Sequence, residues 1–392
     1  MQLSERITQL TGDGSDGWDV FYRSRQMVAD GEPVIELTIG EHDIRTDPSI
    51  LEAMHKAAIG GHTGYAMVPG IKSLREAVAT RIQERTGVPT SYKNILISAG
   101  GQAGLYASHT AVCNPGDRAL YLDPYYTTYP STISGVAAIP VPVQTHTEDA
   151  FQPRVEDLDA AAAGATSLLI NSPNNPTGTV YSRQTLEGIA DVCKRHDLWL
   201  ISDEVYDTQV WEGEHISPRA LPGMAERTLV VSSMSKSHAM TGSRVGWICA
   251  PEHVIERLID LATNTTYGVA GFIQDATEFA LGQGVDLEEK VAEPFRRRRA
   301  LAKDILAGQN TVGLIPAQGA MYLMLDIRAT GLTGEEFANR LLDTQMIAVM
   351  PGESFGKAAA GHIRVAMTID DNHFAAALKT LCTFAQAIAE NR

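Results

Sequence analysis

Short apolar runs that end in small or polar residues alternate with helical segments through much of this chain. Runs of this kind, with no internal charge, predict strands that are buried on both faces. Strands that alternate with helices form a mostly parallel sheet, and such a sheet binds ligands beyond the carboxyl ends of its strands. The predicted fold class is therefore α/β, with a mostly parallel central sheet flanked by helices.

After each of five such strands, the chain has one residue that is a candidate for the site. These residues are Gly100, Tyr126, Asn175, Asp203 and Lys236. Because the carboxyl ends of parallel strands share one edge of the sheet, all five are expected to meet in one crevice. This convergence is stronger evidence for a functional site than any single motif.

Lys236 is in an unusual place for a lysine, because it follows the apolar, β-branched run 228–233. A lysine amine forms Schiff bases with carbonyl compounds, and enzymes that use pyridoxal phosphate hold their cofactor in this way. Ser233 and Ser235 offer hydroxyl donors and Arg244 offers a planar fork, which suits a phosphate group. The alternative is a surface lysine beside a serine-rich turn, and the convergence of strand ends argues against it.

Three further segments extend this interpretation. The turn 99–102, between a strand and a helix, is typical of an anion site built from backbone donors, although many α/β proteins have such a turn for packing alone. Tyr126 can stack on a flat cofactor ring or pack in a domain interface. Asn175 lies between two prolines, in a rigid turn that holds its amide in place.

Arg364 lies inside the apolar strand 362–366, where a buried charge needs a partner. Two interpretations are open, a structural ion pair and a clamp for a substrate carboxylate. The clamp is favoured, because a guanidinium binds a carboxylate through two parallel hydrogen bonds and the other candidate residues also suit a site.

Other charged residues are expected to have less specific roles. His42 and Arg45 follow Gly40 in a loop, and a solvated or capping role is expected for each. The arginines at 296–299 are expected to form a solvated helix face that pairs with nearby acids, rather than a nucleic-acid patch.

The chain has 392 residues, which exceeds the size that one hydrophobic core sustains. The predicted division is an N-terminal arm with part of a small domain at 1–47, a large domain at 48–285 and a small α+β domain at 286–392. A net charge of −15 argues against nucleic-acid and membrane partners. Four widely spaced cysteines, together with the absence of a signal-peptide pattern and of a long apolar run, favour a cytoplasmic protein.

These residues make the chain similar to the class I/II aminotransferases, which are fold type I enzymes that depend on pyridoxal 5'-phosphate. The resemblance covers essentially the whole chain. The motifs that match the family in order and spacing are Ser172-Pro-Asn-Asn-Pro-Thr-Gly178, Asp203-Glu-Val-Tyr206, Ser233-Met-Ser-Lys236 with Arg244 and Gly246, Gly361-His-Ile-Arg364, and Tyr65 with Gly70 and Leu74-Arg75. The family usually has proline where His42 stands, so the edge of the substrate pocket is expected to differ here.

The resemblance implies a role for each candidate residue. Lys236 would bond the cofactor aldehyde, Asp203 would pair with the ring nitrogen and Tyr126 would stack on the ring. Asn175 and Tyr206 would hydrogen-bond the ring hydroxyl. The phosphate would be held at Gly100, Gly101, Gln102, Ser233 and Arg244, joined by Tyr65 from the neighbouring subunit of the family's homodimer. Substrate would be bound by Gly40, Asn175 and Arg364.

The activity implied is a ping-pong exchange of an amino group between an L-amino acid and a 2-oxo acid. Asp203 would keep the ring nitrogen protonated and Lys236 would move the substrate α-proton, so that these two residues and Tyr206 form the catalytic set. A carbon–sulfur lyase or an acyltransferase remains an alternative, because fold and cofactor do not fix the reaction. A non-catalytic effector-binding domain is a further alternative, but no room for a helix-turn-helix is expected before Gly40.

Overall fold

The computed structural model describes residues 1–8, 10–11 and 17–391. Gly12 and Gly14 of the N-terminal arm lie outside these residues. The helices are α1 Glu5–Thr8, α2 Asp19–Ala29, α3 Pro48–Ile59, α4 Lys72–Thr86, α5 Gly101–Val112, α6 Tyr129–Gly135, α7 Val155–Ala162, α8 Arg183–Arg195, α9 Met234–Ser237, α10 Glu252–Thr263, α11 Gly271–Gly282, α12 Asp286–Leu306, α13 Gly334–Gln345 and α14 Asp371–Glu390. The strands are β1 Ile35–Leu37, β2 Ile95–Ser98, β3 Arg118–Asp123, β4 Ile139–Gln144, β5 Ala165–Asn171, β6 Trp199–Asp203, β7 Thr228–Ser233, β8 Gly246–Cys249, β9 Gly313–Leu314, β10 Tyr322–Asp326, β11 Ile347–Pro351 and β12 His362–Ala366.

The larger sheet has the strand order β2-β8-β7-β6-β5-β3-β4. Strand β8 is antiparallel to both of its neighbours, and every other pairing in this sheet is parallel. The carboxyl ends of β2, β3, β5, β6 and β7 therefore lie at one edge. The predicted α/β class with a mostly parallel central sheet is confirmed, and the shared edge is where the candidate residues emerge.

Four strands of this sheet, β2, β5, β6 and β7, form because their side chains are apolar on both faces. Strands β2 and β7 are buried along their whole length, and β5 and β6 are buried over most of theirs. Helices cover the two faces of the sheet with separate apolar clusters. Because so much of each strand is buried, its register in the sheet is strongly determined. The register in turn determines which residue emerges at the carboxyl edge of the sheet.

The smaller sheet has the order β1-β11-β12-β10-β9, with β1 parallel to β11. An N-terminal segment therefore completes a sheet whose other strands come from the end of the chain. Helix α12 precedes those strands and packs against α14 and α9. This arrangement is consistent with the proposed divisions at 47 and 285, which remain a prediction.

Strand β4 was not predicted from the sequence. Its segment contains Pro140 and Pro142, and proline cannot donate a hydrogen bond to a sheet. The strand exists because β4 is at the edge of the sheet, where it has only β3 as a neighbour. An edge strand needs donors on one side alone, so the prolines are tolerated there.

Two of the four consecutive arginines in α12 contradict the expectation of a solvated face. Arg298 is 3% exposed and bonds to the carboxylates of Asp43 and Asp371. Arg299 is 8% exposed and donates to the main-chain oxygen of Ala317. The other two arginines are partly exposed and pair with acids, as expected. The prediction failed because α12 is covered on more than one side, so that consecutive positions become buried.

No helix among the described residues is long and apolar enough to cross a membrane. All four cysteines are free, and three of them are buried.

Candidate active site

A cavity of about 300 Å³ lies at the carboxyl edge of the larger sheet and also contacts the smaller one. The larger sheet contributes Asp203 at the end of β6 and Ser233 at the end of β7, and the smaller sheet contributes Arg364 in β12. The predicted site residues that line the cavity are Gly40, Gly101, Gln102, Tyr126, Asn175, Asp203, Tyr206, Ser233, Ser235, Lys236, Arg244 and Arg364. The structure thus brings together residues that are far apart in the sequence.

The amine of Lys236 lies inside this cavity and donates a hydrogen bond to the carbonyl oxygen of Gly40. Burial lowers the pKa of Lys236, and the positive charges of Arg364 and Arg244 lower it further, although Tyr322 acts in the opposite direction. A lysine with a lowered pKa spends more time as a neutral amine, which is the form that attacks a carbonyl. The environment therefore suits a lysine that bonds an aldehyde.

Asp203 is a buried carboxylate with few partners. Its Oδ2 accepts a hydrogen bond of 2.7 Å from the hydroxyl of Tyr129, and its Oδ1 accepts one of 3.3 Å from the backbone of Val205. Burial raises the pKa of Asp203 to about 6, and the hydrogen bond from Tyr129 limits that rise. A cation placed against this carboxylate would keep it ionised.

Tyr129 was missed as a site residue by the sequence analysis. It is the first residue of α6, and its ring lies 5.9 Å from the ring of Tyr126 in an edge-to-face arrangement. It follows Tyr126 in the aromatic segment after β3, but no local pattern in the sequence indicates that it reaches Asp203. Burial raises the pKa of Tyr126 to about 12, so its hydroxyl stays protonated.

Tyr206 has a second tyrosine as its hydrogen-bond partner. The hydroxyl oxygens of Tyr206 and Tyr322 are 3.0 Å apart, and both side chains are buried. Burial raises the pKa of Tyr206 well above its ordinary value, so its hydroxyl is a donor at neutral pH. Tyr322 belongs to β10 of the smaller sheet, and no local pattern in the sequence indicates that it reaches Tyr206.

Arg364 is only 1% exposed and has no carboxylate partner within the described part of the chain. One Nη donates to Oδ1 of Asn175 at 2.8 Å, and the other donates to the carbonyl oxygen of Thr38. The guanidinium carbon lies 4.4 Å from the ring centre of Tyr322 and 4.3 Å from that of Phe355. The structural ion pair that the sequence left open is absent here, so the positive charge is available to an anionic ligand.

The end of the cavity near Arg244 is built for an anion. Gly100 has a φ of +83°, and a Cβ at this position would lie 2.5 Å from Nη2 of Arg244. Gly100 does not line the cavity itself but leaves space for that guanidinium. Helix α5 begins at Gly101, and the first N–H groups of a helix have no acceptor within it. The side chain of Gln102 bonds to Thr128 and Thr132, so its backbone is the part left for a ligand.

Two predicted site residues, Gly40 and Tyr65, differ sharply in their surroundings, since one is tightly packed and the other is exposed to solvent. A Cβ added to Gly40 would lie 1.7 Å from the hydroxyl oxygen of Tyr322, so only glycine fits there. Tyr65 does not reach the cavity of its own chain. It is 92% exposed and packs edge-to-face on Tyr267, with 5.2 Å between ring centres.

The expectation of a solvated or capping role is wrong for His42. Its ring lies 5.4 Å from the ring of Phe295, and its Nε2 is 3.1 Å from the carbonyl oxygen of Lys236. Burial lowers the pKa of His42 to about 3, so the imidazole is neutral. It is covered because α12 packs over the loop after Gly40. Arg45 is exposed, as expected.

The chain is similar to known aminotransferases in both sequence and fold. The family described as aminotransferase class I and II matches residues 32–381. The arginine–pyruvate transaminase of Pseudomonas aeruginosa is 40% identical over 370 residues, which is 94% of each chain. The aspartate/prephenate aminotransferase of Thermus thermophilus is 35% identical over 356 residues, or 89% of this chain and 90% of that protein. A solved structure of a Thermus thermophilus aspartate aminotransferase with maleate has a TM-score of 0.91 at 32% identity, and covers 98% of this chain and 99% of that one.

Proposed function

The chain belongs to the class I and II aminotransferases and transfers amino groups between amino acids and 2-oxo acids, and we propose that it does so with pyridoxal phosphate held in the cavity at Lys236. Its fold is that of the fold type I aminotransferases. The observation that carries the proposal is a buried lysine amine with a lowered pKa, in one cavity with a buried carboxylate. A carbon–sulfur lyase or acyltransferase has no such support from the matched family.

The residues present fit this cofactor. Asp203 is a buried acid without a cationic partner among the described residues, and a protonated ring nitrogen would supply one. Tyr126 offers a flat face in the same cavity. Arg244 and the N-terminus of α5 offer the charge and the donors that a phosphate needs. Each part of the cofactor therefore has a chemically suitable partner.

When it is bound, pyridoxal phosphate withdraws electrons from the substrate α-carbon and carries the amino group between the two half-reactions. The protein contributes the charges and proton transfers. Asp203, ionised by its cationic partner, keeps the ring nitrogen protonated. Lys236 accepts the proton from the α-carbon and delivers it one step later, because its lowered pKa makes a neutral amine available as a base.

Asn175 and Tyr206 are proposed to hold the ring hydroxyl, and Tyr322 orients Tyr206 through the hydrogen bond between their hydroxyls. Arg364 is proposed to bind the α-carboxylate of the substrate. Its buried guanidinium is already fixed by Asn175 and by two aromatic faces, so little side-chain freedom is lost on binding. Gly40 lines the same cavity and is proposed to contact the substrate there, while its lack of a side chain leaves room for the hydroxyl of Tyr322.

The active unit is proposed to be a homodimer in which Tyr65 reaches the phosphate site of the partner subunit. Tyr65, Met67 and Tyr267 are 92%, 67% and 52% exposed, and large apolar side chains that cluster at the surface are typical of an interface.

A cytoplasmic location is proposed on the basis of the four free cysteines, because secreted proteins commonly have their cysteines in disulfides.

Borohydride reduction of the purified protein followed by peptide mapping tests the cofactor assignment. We expect a reduced cofactor adduct on Lys236 and on no other lysine. The matched control is Lys236→Ala, which should remain folded and give no adduct. An adduct on another lysine in the wild-type protein would exclude the proposed site.

An amino-donor screen tests the substrate range. Arginine, aspartate and aromatic amino acids should be included, since the relatives that match this chain include an arginine–pyruvate transaminase and an aspartate aminotransferase, and also an aromatic-amino-acid aminotransferase of Thermococcus litoralis. Conversion of the bound aldehyde form to the amine form is followed by absorbance, which reports one half-reaction without a need to know the acceptor. A donor class that gives no conversion would be excluded from the substrate range.

A further inference from the structure

A second cavity, of about 330 Å³, lies on the opposite side of the segment 203–207 from the first. Asp203, Val205 and Tyr206 line the first cavity, whereas Glu204 and Asp207 line the second. The segment is therefore a wall between the two cavities. The contacts that hold Glu204 and Asp207 on its rear face therefore also set the positions of Asp203 and Tyr206, two proposed catalytic residues, on its front face.

Glu204 is held on the rear face by two side chains. His215 Nε2 lies 3.0 Å from one carboxylate oxygen of Glu204, and the hydroxyl of Ser217 donates to the other at 2.7 Å. The side chains of His215 and Glu204 are 11% and 7% exposed, so this pair is shielded from water. A shielded pair of this geometry restrains the backbone at Glu204, which is bonded directly to Asp203.

The other charges that face His215 come from the neighbouring elements. Asp207 bonds to Arg85 at 2.6 Å and to Arg81 at 3.3 Å, and both arginines of α4 also bond to Glu288 of α12. Glu214 lines the same cavity. The two acids and two arginines of this network offset each other, and Glu214 is exposed to solvent, so Glu204 and His215 remain as a buried pair whose net charge depends on His215.

The charge of Glu204 is felt in the cofactor cavity. Burial raises the pKa of Asp203, and the negative charge of Glu204 raises it further. Burial opposes the charged form of His215, but its hydrogen bond to Glu204 and the charges of Glu204 and Asp207 together raise the pKa of His215. When it is protonated, His215 offsets the negative charge beside Asp203.

We propose that His215 is a positioning residue of the cofactor site, which fixes the segment 203–207 through Glu204 and offsets the charge of Glu204 next to Asp203. This inference rests on the proposed cofactor site. His215 lies outside the cavity that holds the cofactor, in a buried polar cluster that takes no direct part in the reaction.

The test is the pH midpoint of the visible absorbance change of the bound cofactor, which reports the charge around Lys236 rather than the rate. His215→Gln keeps an N–H donor near Glu204 but removes the positive charge. We expect the midpoint to rise by about half a pH unit, because an uncompensated negative charge nearby favours protonation. Adding Glu204→Gln to that variant removes the uncompensated charge and should reverse the rise.

Cofactor affinity gives the positional part of the test. The dissociation constant of pyridoxal phosphate from the cofactor-free protein should increase about tenfold in His215→Ala, the size expected for one buried hydrogen bond, and less in His215→Gln. The matched control is His196→Gln, which breaks a surface pair with Asp159 at 2.8 Å and should change neither quantity.

A midpoint that does not move in His215→Gln overturns the inference. A rise that persists after Glu204→Gln is added also overturns it, because altered packing rather than charge would then be the cause. If the wild-type protein shows no visible band and no adduct at Lys236, the proposed cofactor site itself fails, and that result is distinct from the other two.

Discussion

The hydroxyl of Tyr129 donates a hydrogen bond of 2.7 Å to Oδ2 of Asp203, and both side chains are buried. This contact joins the start of α6 to the end of β6. It stabilises the ionised form of Asp203, which burial alone disfavours. The aspartate that is proposed to polarise the cofactor therefore depends on a tyrosine from a helix of another part of the chain.

Tyr129→Phe should slow α-proton abstraction by about tenfold, because a buried hydrogen bond to a charged group contributes about 1.5–3 kcal/mol and only part of it is lost once the cofactor is bound. The pKa of Asp203 should rise, so the acid limb of the kcat/KM profile should move to higher pH. Single-turnover kinetics with an α-deuterated donor measure the first effect. Tyr181→Phe, which alters a buried tyrosine of another apolar cluster, is the control. An unchanged acid limb would contradict the role given to Tyr129.

The pH dependence of stability should reveal Asp203 in the cofactor-free protein. Its folded-state pKa is raised from 3.8 to about 6, so the folded chain binds this proton more tightly than the unfolded chain does. The stabilising effect of the proton is complete at low pH and is lost as pH rises through 6. From pH 5 to pH 8, wild type should lose roughly 1–2 kcal/mol more than Asp203→Asn. Urea unfolding at both pH values measures this, and parallel curves for the two proteins would refute it.

Arg364→Lys should reduce kcat/KM by about a hundredfold for every amino acid tested, because lysine keeps the charge but lacks the planar fork. The factor should be similar for apolar, aromatic and acidic side chains, since the α-carboxylate is common to all of them. Arg297→Lys, at a partly exposed ion pair of α12, should leave the rate unchanged. A loss confined to acidic substrates would mean that Arg364 binds the side chain and that the substrate lies the other way round.

Gly40→Ala should disturb Tyr322, whose hydroxyl oxygen would lie 1.7 Å from the new Cβ. The displaced hydroxyl would lose its hydrogen bond to Tyr206, and overpacking of this kind costs about 1–3 kcal/mol. We expect a lower free energy of unfolding and a fall in kcat. Gly308→Ala, where a Cβ would meet no atom within 4 Å, is the control. A fully active, fully stable Gly40→Ala would exclude the close packing described at this position.

Dilution should separate the proposed dimer and release the cofactor. If Tyr65 completes the phosphate site of a neighbour, then Tyr65→Phe should weaken pyridoxal phosphate binding by about tenfold, the size of one hydrogen bond to a charged group, without unfolding either subunit. Analytical ultracentrifugation at assay concentration, with absorbance detection of the cofactor, follows both quantities. An active monomer that retains its cofactor would rule out the shared site.

The sequence by itself determined five of the seven strands of the larger sheet, β2, β3, β5, β6 and β7, and most of the cavity residues. Lys236, Asp203 and Asn175 could be placed because each follows a buried apolar strand, and parallel strands end at one edge whatever the details of packing. The apolar run that forms a strand and the residue at which this run ends are local properties of the sequence. These properties can be identified in the sequence without knowing which distant segment packs against the strand.

Only the tertiary structure decided what surrounds those residues. Tyr129 and Tyr322 reach Asp203 and Tyr206 from other elements, and nothing near them in the sequence indicates the contact. The burial of Arg298 and the partial burial of His42 depend on how α12 packs over neighbouring segments, which a local pattern of charges does not encode. Strand ends are set by nearest neighbours along the chain, whereas burial and hydrogen-bond partners are set by neighbours in space.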